Sequence, residues 1–141
     1  MKIFKQAQFY TVSLVILFLL NSCDVFSVAK ILNSSNEEII IEIQQDKNAI
    51  IKEFGKNSYY ERTLSMEYGS FSFDSINLIS KVKLVPKDSL IIEFGRGKIP
   101  QFKFLKKITV FSNDTLILNS REEMLKKFIE KQDQEFIMEI K

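Results

Sequence analysis

Catalysis near neutral pH usually draws on a histidine or a thiolate, and this chain offers almost neither. Its 141 residues include no histidine and a single cysteine, Cys23. The lack of histidine removes Ser-His-Asp and Cys-His arrangements, histidine-ligated zinc and the commonest general base. One cysteine leaves no internal disulfide and no zinc–thiolate set. Carboxylates remain. Glu53, Glu61, Glu67 and Glu93 are candidates for a glycosidase pair, but charged residues alternating with apolar ones are the ordinary wet face of a sheet. Glu37-Glu38 and Glu122-Glu123 are acidic pairs of the kind that hold a cation. The first falls in an expected turn, and the second in a first helical turn, where acids complement the dipole without any metal. Gly95-Arg96-Gly97 lacks the further glycine of a dinucleotide fingerprint and the Gly-Lys-Ser/Thr of a phosphate loop, and reads as a turn. Tyr59-Tyr60, Tyr68 and Phe71 suit sugar stacking or a protein anchor if exposed, and core packing if not. No catalytic, metal-binding or cofactor-binding residue is expected, and the chain is read as a non-enzyme.

Cys23 belongs to a different pattern. Lys2 and Lys5 precede an apolar run from Tyr10 to Leu20, which stops at Asn21-Ser22-Cys23-Asp24. A basic start, an apolar run of roughly 7–15 residues and a small residue at the cut make a secretory signal. The run is short for a spanning helix, which needs about 20 apolar residues. An uncleaved anchor over Phe4 to Leu20 would have to accommodate Lys5 and Gln6, and a buried core helix would need a larger protein around it.

Leu20-Asn21-Ser22-Cys23 resembles the lipobox of bacterial lipoproteins. The resemblance implies cleavage between Ser22 and Cys23 and a diacylglyceryl group on the Cys23 sulfur; Asn21 departs from the usual residue at its place. The expected organisation is a signal peptide over residues 1–22, a lipidated tether over 23–28 and a single β-rich domain over 29–141. With more than one acyl chain the anchor is lasting, and the protein sits on a bacterial membrane without spanning it. The richness in Ile, Lys, Phe and Asn is similar to that of many Bacteroidetes proteins. Asp74-Ser75-Ile76, Asp88-Ser89-Leu90 and Asp114-Thr115-Leu116 resemble the Asp-Ser/Thr-aliphatic acceptor for O-glycosylation in that group, which makes Ser75, Ser89 and Thr115 candidate modification sites. Asp-Ser and Asp-Thr are equally what a turn entering a strand looks like.

Charge narrows the partners. The chain has 20 basic and 18 acidic residues, and removing Lys2 and Lys5 with the leader leaves 18 against 18. Nucleic-acid binding needs clustered basic charge to displace counterions, so no nucleic-acid partner is expected. Lys103, Lys106 and Lys107 are the densest basic group, read as a solvated strand edge or as a contact for anionic headgroups. Stability must come from packing, for which the chain's 13 phenylalanines, all but Phe4, Phe9 and Phe18 beyond the leader, and many isoleucines are available.

The elements that must position these residues are short strands. Ile39 to Gln44 alternates, and Val28 to Leu32 reads as its hairpin partner across Asn33-Ser34-Ser35-Asn36. Ile50 to Phe54 and Tyr59 to Leu64 read as a second hairpin across Gly55-Lys56-Asn57-Ser58. Phe71 and Phe73 are expected to point inward. Lys81 to Val85 and Leu90 to Phe94 flank a turn at Pro86. Phe102 to Leu105, Ile108 to Phe111 and Leu116 to Leu118 complete the series, with a turn at Asn113-Asp114. One helix follows. Ser120 and Glu123 have capping-box spacing, Met124, Leu125, Phe128 and Ile129 form its apolar stripe, and it is expected to end near Gln132. A last strand carries Phe136, Met138 and Ile140 inward.

The fold class expected is mainly β, a sandwich-like antiparallel domain with one helix before the C-terminal strand, with α+β as the alternative. The expected role is that of a membrane-anchored envelope lipoprotein whose domain binds an envelope protein or supports an assembly. The alternative is a membrane-anchored binder of a glycan or small apolar molecule. The intact mass of membrane-extracted protein checks the anchor: it should start at Cys23 with an acylglyceryl group, and Cys23→Ala should abolish that mass. Protein from the native host should carry additional sugar mass that Ser75→Ala, Ser89→Ala and Thr115→Ala together remove.

Overall fold

The structure, a computed structural model, describes residues 25–56 and 71–141. The leader, Ser22 and Cys23, the strand expected over Tyr59 to Leu64, Tyr68, Glu61 and Glu67 lie outside the described residues. The elements in chain order are β1 (Phe26–Asn33), β2 (Ile39–Gln45), α1 (Lys47–Phe54), β3 (Ser72–Asp74), β4 (Ile79–Leu84), β5 (Ser89–Arg96), β6 (Leu105–Phe111), β7 (Leu116–Leu118), α2 (Arg121–Lys127), β8 (Ile129–Gln132) and β9 (Glu135–Ile140). They form a four-stranded sheet in the order β5-β1-β9-β8 and a five-stranded sheet in the order β3-β4-β2-β6-β7.

The two sheets enclose one apolar layer, because successive side chains on a strand face opposite ways. β2 turns Ile39, Ile41 and Ile43 inward, and β4 and β6 match them with Val82, Leu84, Ile108 and Val110. β1 contributes Ala29 and Ile31, β5 Leu90 and Ile92, and β9 Phe136, Met138 and Ile140, all in the same cluster. Met124 and Phe128, from α2 and the residue after it, join this layer too. The chain is thus mainly β and sandwich-like, as its alternation requires.

Several details differ from the sequence reading. β1 starts at Phe26, inside the stretch expected to be tether, and it does not pair with β2. The two strands belong to opposite sheets, so Ser34–Glu38 is a crossover between layers and not a hairpin turn. The sheets are not wholly antiparallel, since β9 runs parallel to β1. Ile50 to Phe54 is helical. Asp46 accepts from the backbone N–H groups of Asn48 and Ala49 at 2.9 and 3.0 Å, and Ile50, Ile51 and Phe54 fit a helical stripe as well as a strand. The N-cap decides between the two periods. There are therefore two helices among the described residues, not one.

α2 also stops earlier than expected. Ser120 caps it by accepting from the Glu123 N–H at 3.2 Å, while the Glu123 carboxylate accepts from the Asn119 N–H at 2.6 Å. Phe128 then turns extended, and Ile129–Gln132 leaves the helix to pair with β9. Pairing with a core strand outweighs the helical preference of the segment. Phe102 and Phe104 precede β6 and are not part of it, and Phe71 and Phe73 are 53% and 38% exposed, on or beside the edge strand β3. Arg96 extends β5, so the break falls at Gly97.

Asn33 fastens one end of the sandwich. It is fully buried at the end of β1, and its amide donates to the Leu84 and Glu37 carbonyls at 2.9 and 2.8 Å. Its carbonyl accepts from the Ser35 N–H and hydroxyl. Its backbone closes on the β4–β5 turn, donating to the Asp88 carbonyl and accepting from the Lys87 N–H. One side chain thus ties β1, the crossover and the opposite sheet together. Asn33→Ala removes the bond to the buried Leu84 carbonyl, while the exposed Glu37 carbonyl keeps the Ser35 hydroxyl as a donor. Urea unfolding should show a loss of roughly 1–3 kcal/mol for it, against a near-neutral Asn36→Ala.

Candidate functional site

The opposite end of the sandwich, where β1 begins, is called proximal below, and the Asn33 end distal. Here the chain leaves β5 and crosses through residues 97–104 to the start of β6. Gly97 begins the crossing with φ near 125°, a value that suits glycine, and its N–H donates to the Val25 carbonyl at 2.8 Å. Pro100 and Phe102 are buried, and Phe102 holds φ near 47°. A phenylalanine keeps that conformation only where packing imposes it. The packing is the Phe128 ring, 5.0 Å away between centroids.

This crossing forms one wall of an open polar cleft of about 540 Å³. Gln101, Phe102 and Lys103 line it with Leu105 and Lys106 of β6, Asp46 from the cap of α1, and Asn119, Ser120 and Arg121 from the start of α2. Arg121 is held in place: its Nε donates to the Gln101 carbonyl at 2.6 Å and its Nη2 to Gln101 Oε1 at 3.1 Å. Lys103 pairs with Glu53 at 2.8 Å. Lys106 falls beside a register irregularity in the β2–β6 pairing, which turns it toward the cleft.

Behind Gln101 stands Glu93. A bulge between β1 and β5 places Ala29 opposite Glu93 and Lys30 opposite Ile91, so Ile92 and Glu93 both turn inward. Glu93 accepts from the Gln101 N–H at 2.5 Å. Burial pushes its carboxyl above the usual range, against the Gln101 and Phe102 N–H groups and the Arg121 charge, which oppose the shift. Glu93, Gln101 and Arg121 form one bonded chain whose exposed end is cationic and amide-rich. Such a lining has the chemistry to meet anionic or hydroxyl-rich groups.

A second surface stands out by composition. The outward row of the four-stranded sheet carries Phe26, Val28 and Leu32 of β1, Ile91 and Phe94 of β5, Ile137 of β9 and Ile129 of β8. Phe94, Ile129 and Ile91 are 66%, 59% and 53% exposed. Amid them lies the Lys30–Glu135 ion pair. The five-stranded sheet differs. Its outward row crosses Glu42 with Lys81 at 2.5 Å and Glu38 with Lys83 at 3.2 Å, and the sheet's exposed apolar residues, Phe73, Ile117 and Phe111, are spread over β3, β7 and β6 around those pairs.

The residues singled out from sequence are not gathered into one place. Of the four candidate carboxylates, Glu93 stands behind the cleft, bonded to Gln101 of its wall, and Glu53 is paired to Lys103, while Glu61 and Glu67 are outside the described residues. Lys106 and Lys107 lie on β6, between β2 and β7, and Lys103 in the turn before it, so they do not form a sheet edge. Phe71 is exposed beneath Lys83, 5.7 Å from its Nζ. Ser75, Ser89 and Thr115 are exposed at separate turns. Asp74 holds its turn by accepting from Asn77 and Ile76, and the Asn77 side chain above all keeps its carboxyl below the usual range. Glu37, Glu38, Glu122 and Glu123 do not converge, and among the described residues no three acids, histidines or cysteines come together to hold a metal. Sequence reasoning missed Arg121, Gln101 and Asp46. Only Asp46 carried a legible signal, as an acid directly before a helical stripe.

Comparison with protein-family models, with curated proteins and with solved structures finds no match to this chain. Among the described residues no helix is long and apolar enough to cross a membrane.

Glu93 makes the cleft's framework sensitive to pH. Its folded pKa lies above the unfolded one, so the folded state holds its proton more tightly. The resulting stability is fully present below the carboxylate range and is lost as pH rises through the raised value. Thermal melts of Glu93→Gln should lack that part of the decline between acidic and neutral pH, and Glu53→Gln, at a more exposed site, should keep it.

Proposed function

We propose that this chain is a lipoprotein held to a bacterial envelope membrane by lipid on Cys23, whose β domain acts by binding another envelope protein. The observation that carries the binding role is the contrast between the two sheets. A sheet face normally left to water alternates charged and polar residues, as β2 and β4 do on their outer side. The four-stranded sheet instead exposes Ile91 and Phe94 on one side and Ile129, with Ile137 beside it, on the other, the two groups divided by the Lys30–Glu135 pair. Exposed apolar residues gathered on one face are the mark of an interaction surface. The Lys30–Glu135 pair within it offers polar register to a partner. The Leu20-Asn21-Ser22-Cys23 motif supports the anchor.

A second reading, a membrane-anchored glycan binder, draws on the cleft. Gln101, Asn119, Ser120 and Arg121 present amides, a hydroxyl and a guanidinium, a lining for sugar hydroxyls or uronic acids more than for a small apolar molecule. Ser75, Ser89 and Thr115 are all exposed; Ser75 and Thr115 lie on turns away from the four-stranded sheet, whereas Ser89 pairs with Leu32 on the apolar face, so a sugar there would border the partner surface.

Photo-crosslinking in cells of the native envelope separates the two. A photoreactive residue at Ile91 or Ile129 should trap one protein stoichiometrically, and Ile91→Asp with Ile129→Asp should abolish the product. If that face yields nothing while Arg121→Ala abolishes retention on a glycan array, the glycan reading replaces the first.

A further inference from the structure

The anchor and the fold together constrain which way the domain faces. Only Asp24 and Val25 separate Cys23 from the first residue of β1. A chain spans at most about 3.6 Å per residue, so Cys23 lies within roughly 11 Å of Phe26. That is about the spacing of two packed sheets, too little to hold the domain clear of the headgroups. The proximal end of the sandwich must then meet the bilayer surface.

The residues at that end suit such a contact. The Phe26 and Phe94 rings stack with centroids 5.3 Å apart and planes 8° from parallel, on the outer side of β1 and β5. Ile99, also exposed, lies in the crossing just beyond β5. Arg96 and Lys98, both exposed, flank these three, and Lys103, Lys106 and Lys107 follow on the same end. Of the nearby acids, Asp46 caps α1, Glu135 holds Lys30, Glu93 turns inward and Glu53 offsets Lys103, while Asp133 is exposed in the β8–β9 turn at the same end, so the cationic character rests on Arg96, Lys98, Lys106 and Lys107. Aromatic and aliphatic side chains ringed by cations are the composition that enters the interfacial layer of an anionic membrane.

We propose that Phe26, Phe94 and Ile99, flanked by Arg96 and Lys98, seat the proximal end of the domain in the headgroup layer of an anionic bilayer. This rests on acylation of Cys23. β1 then points away from the membrane and the Asn33 end is outermost. The surface carrying Ile91, Ile137 and Ile129 faces sideways just above the headgroups, where it is open to a partner on the same membrane.

The test uses full-length lipidated protein in vesicles containing phosphatidylglycerol, with intact mass confirming the lipid. An environment-sensitive dye is placed at Phe94→Cys or, as the distal control, at Asn113→Cys. The proximal dye should shift to the blue and lose fluorescence to nitroxide lipids of shallow depth, while the distal dye stays solvent-like. Equal, solvent-like spectra at both positions on confirmed lipoprotein overturn the seating and leave the anchor standing. An unlipidated mass overturns both. A blue shift already present in vesicle-free Cys23→Ala protein assigns the face to a second copy of the chain and overturns the seating.

Discussion

Everything in this domain depends on the pleat of its strands across a single apolar layer. With no disulfide or metal among the described residues, the sheets stay together because alternate residues of β1, β2, β4, β5, β6 and β9 meet in one cluster. A slip of one residue in any of these strands would exchange its buried row for its wet one. Register is therefore fixed by burial, and it in turn fixes what every outward side chain can do. The Ile39, Ile41 and Ile43 row commits Glu42 to the surface, and the Ala29 and Ile31 row commits Phe26, Val28, Lys30 and Leu32 to theirs.

Where the pleat is interrupted, chemistry enters. The bulge between β1 and β5 turns a carboxylate inward, and the irregularity between β2 and β6 turns a lysine toward the cleft. The first lies midway along β1 and the second at the proximal end, where the crossing from β5 to β6 holds Phe102 at a positive φ that a phenylalanine takes up only under packing. The distal end is closed differently. Asn33 is buried there with both halves of its amide bonded, and a buried amide so satisfied fixes geometry that apolar contacts alone would leave loose. The sandwich thus has a pinned end and a more open, cationic end.

The two outer faces then define how the domain meets its surroundings. One is ion-paired over β2 and β4, and such exposed pairs contribute little beyond solubility. The other carries exposed or half-buried apolar residues on each of its four strands, about the Lys30–Glu135 ion pair. Covering such residues removes apolar area from water, which is favourable. The proposed membrane seat at Phe26 and Phe94 and the proposed partner surface at Ile91, Ile137 and Ile129 are neighbouring parts of this one face.

The sequence by itself determined the strand content, because a period of two is a local property. Ile39 to Gln44 and Phe136 to Ile140 are legible without any partner, and so are the capping of α2 by Ser120 and the turns at Pro86 and Asn113-Asp114. The sequence also left no histidine for chemistry and, with one cysteine, no internal disulfide. Only the tertiary structure decided which strands pair. β1 and β2 are adjacent in the chain yet lie in different sheets, and β9 returns to pair parallel with β1, contacts whose energy comes from residues far apart in sequence. Ambiguous segments were settled the same way: Asp46 made Ile50–Phe54 helical, and β9 drew Ile129–Gln132 out of a helix into a strand. The cleft was invisible for the same reason. Glu93, Gln101 and Arg121 meet through a bulge and a packed loop, and neither leaves a mark on residue spacing.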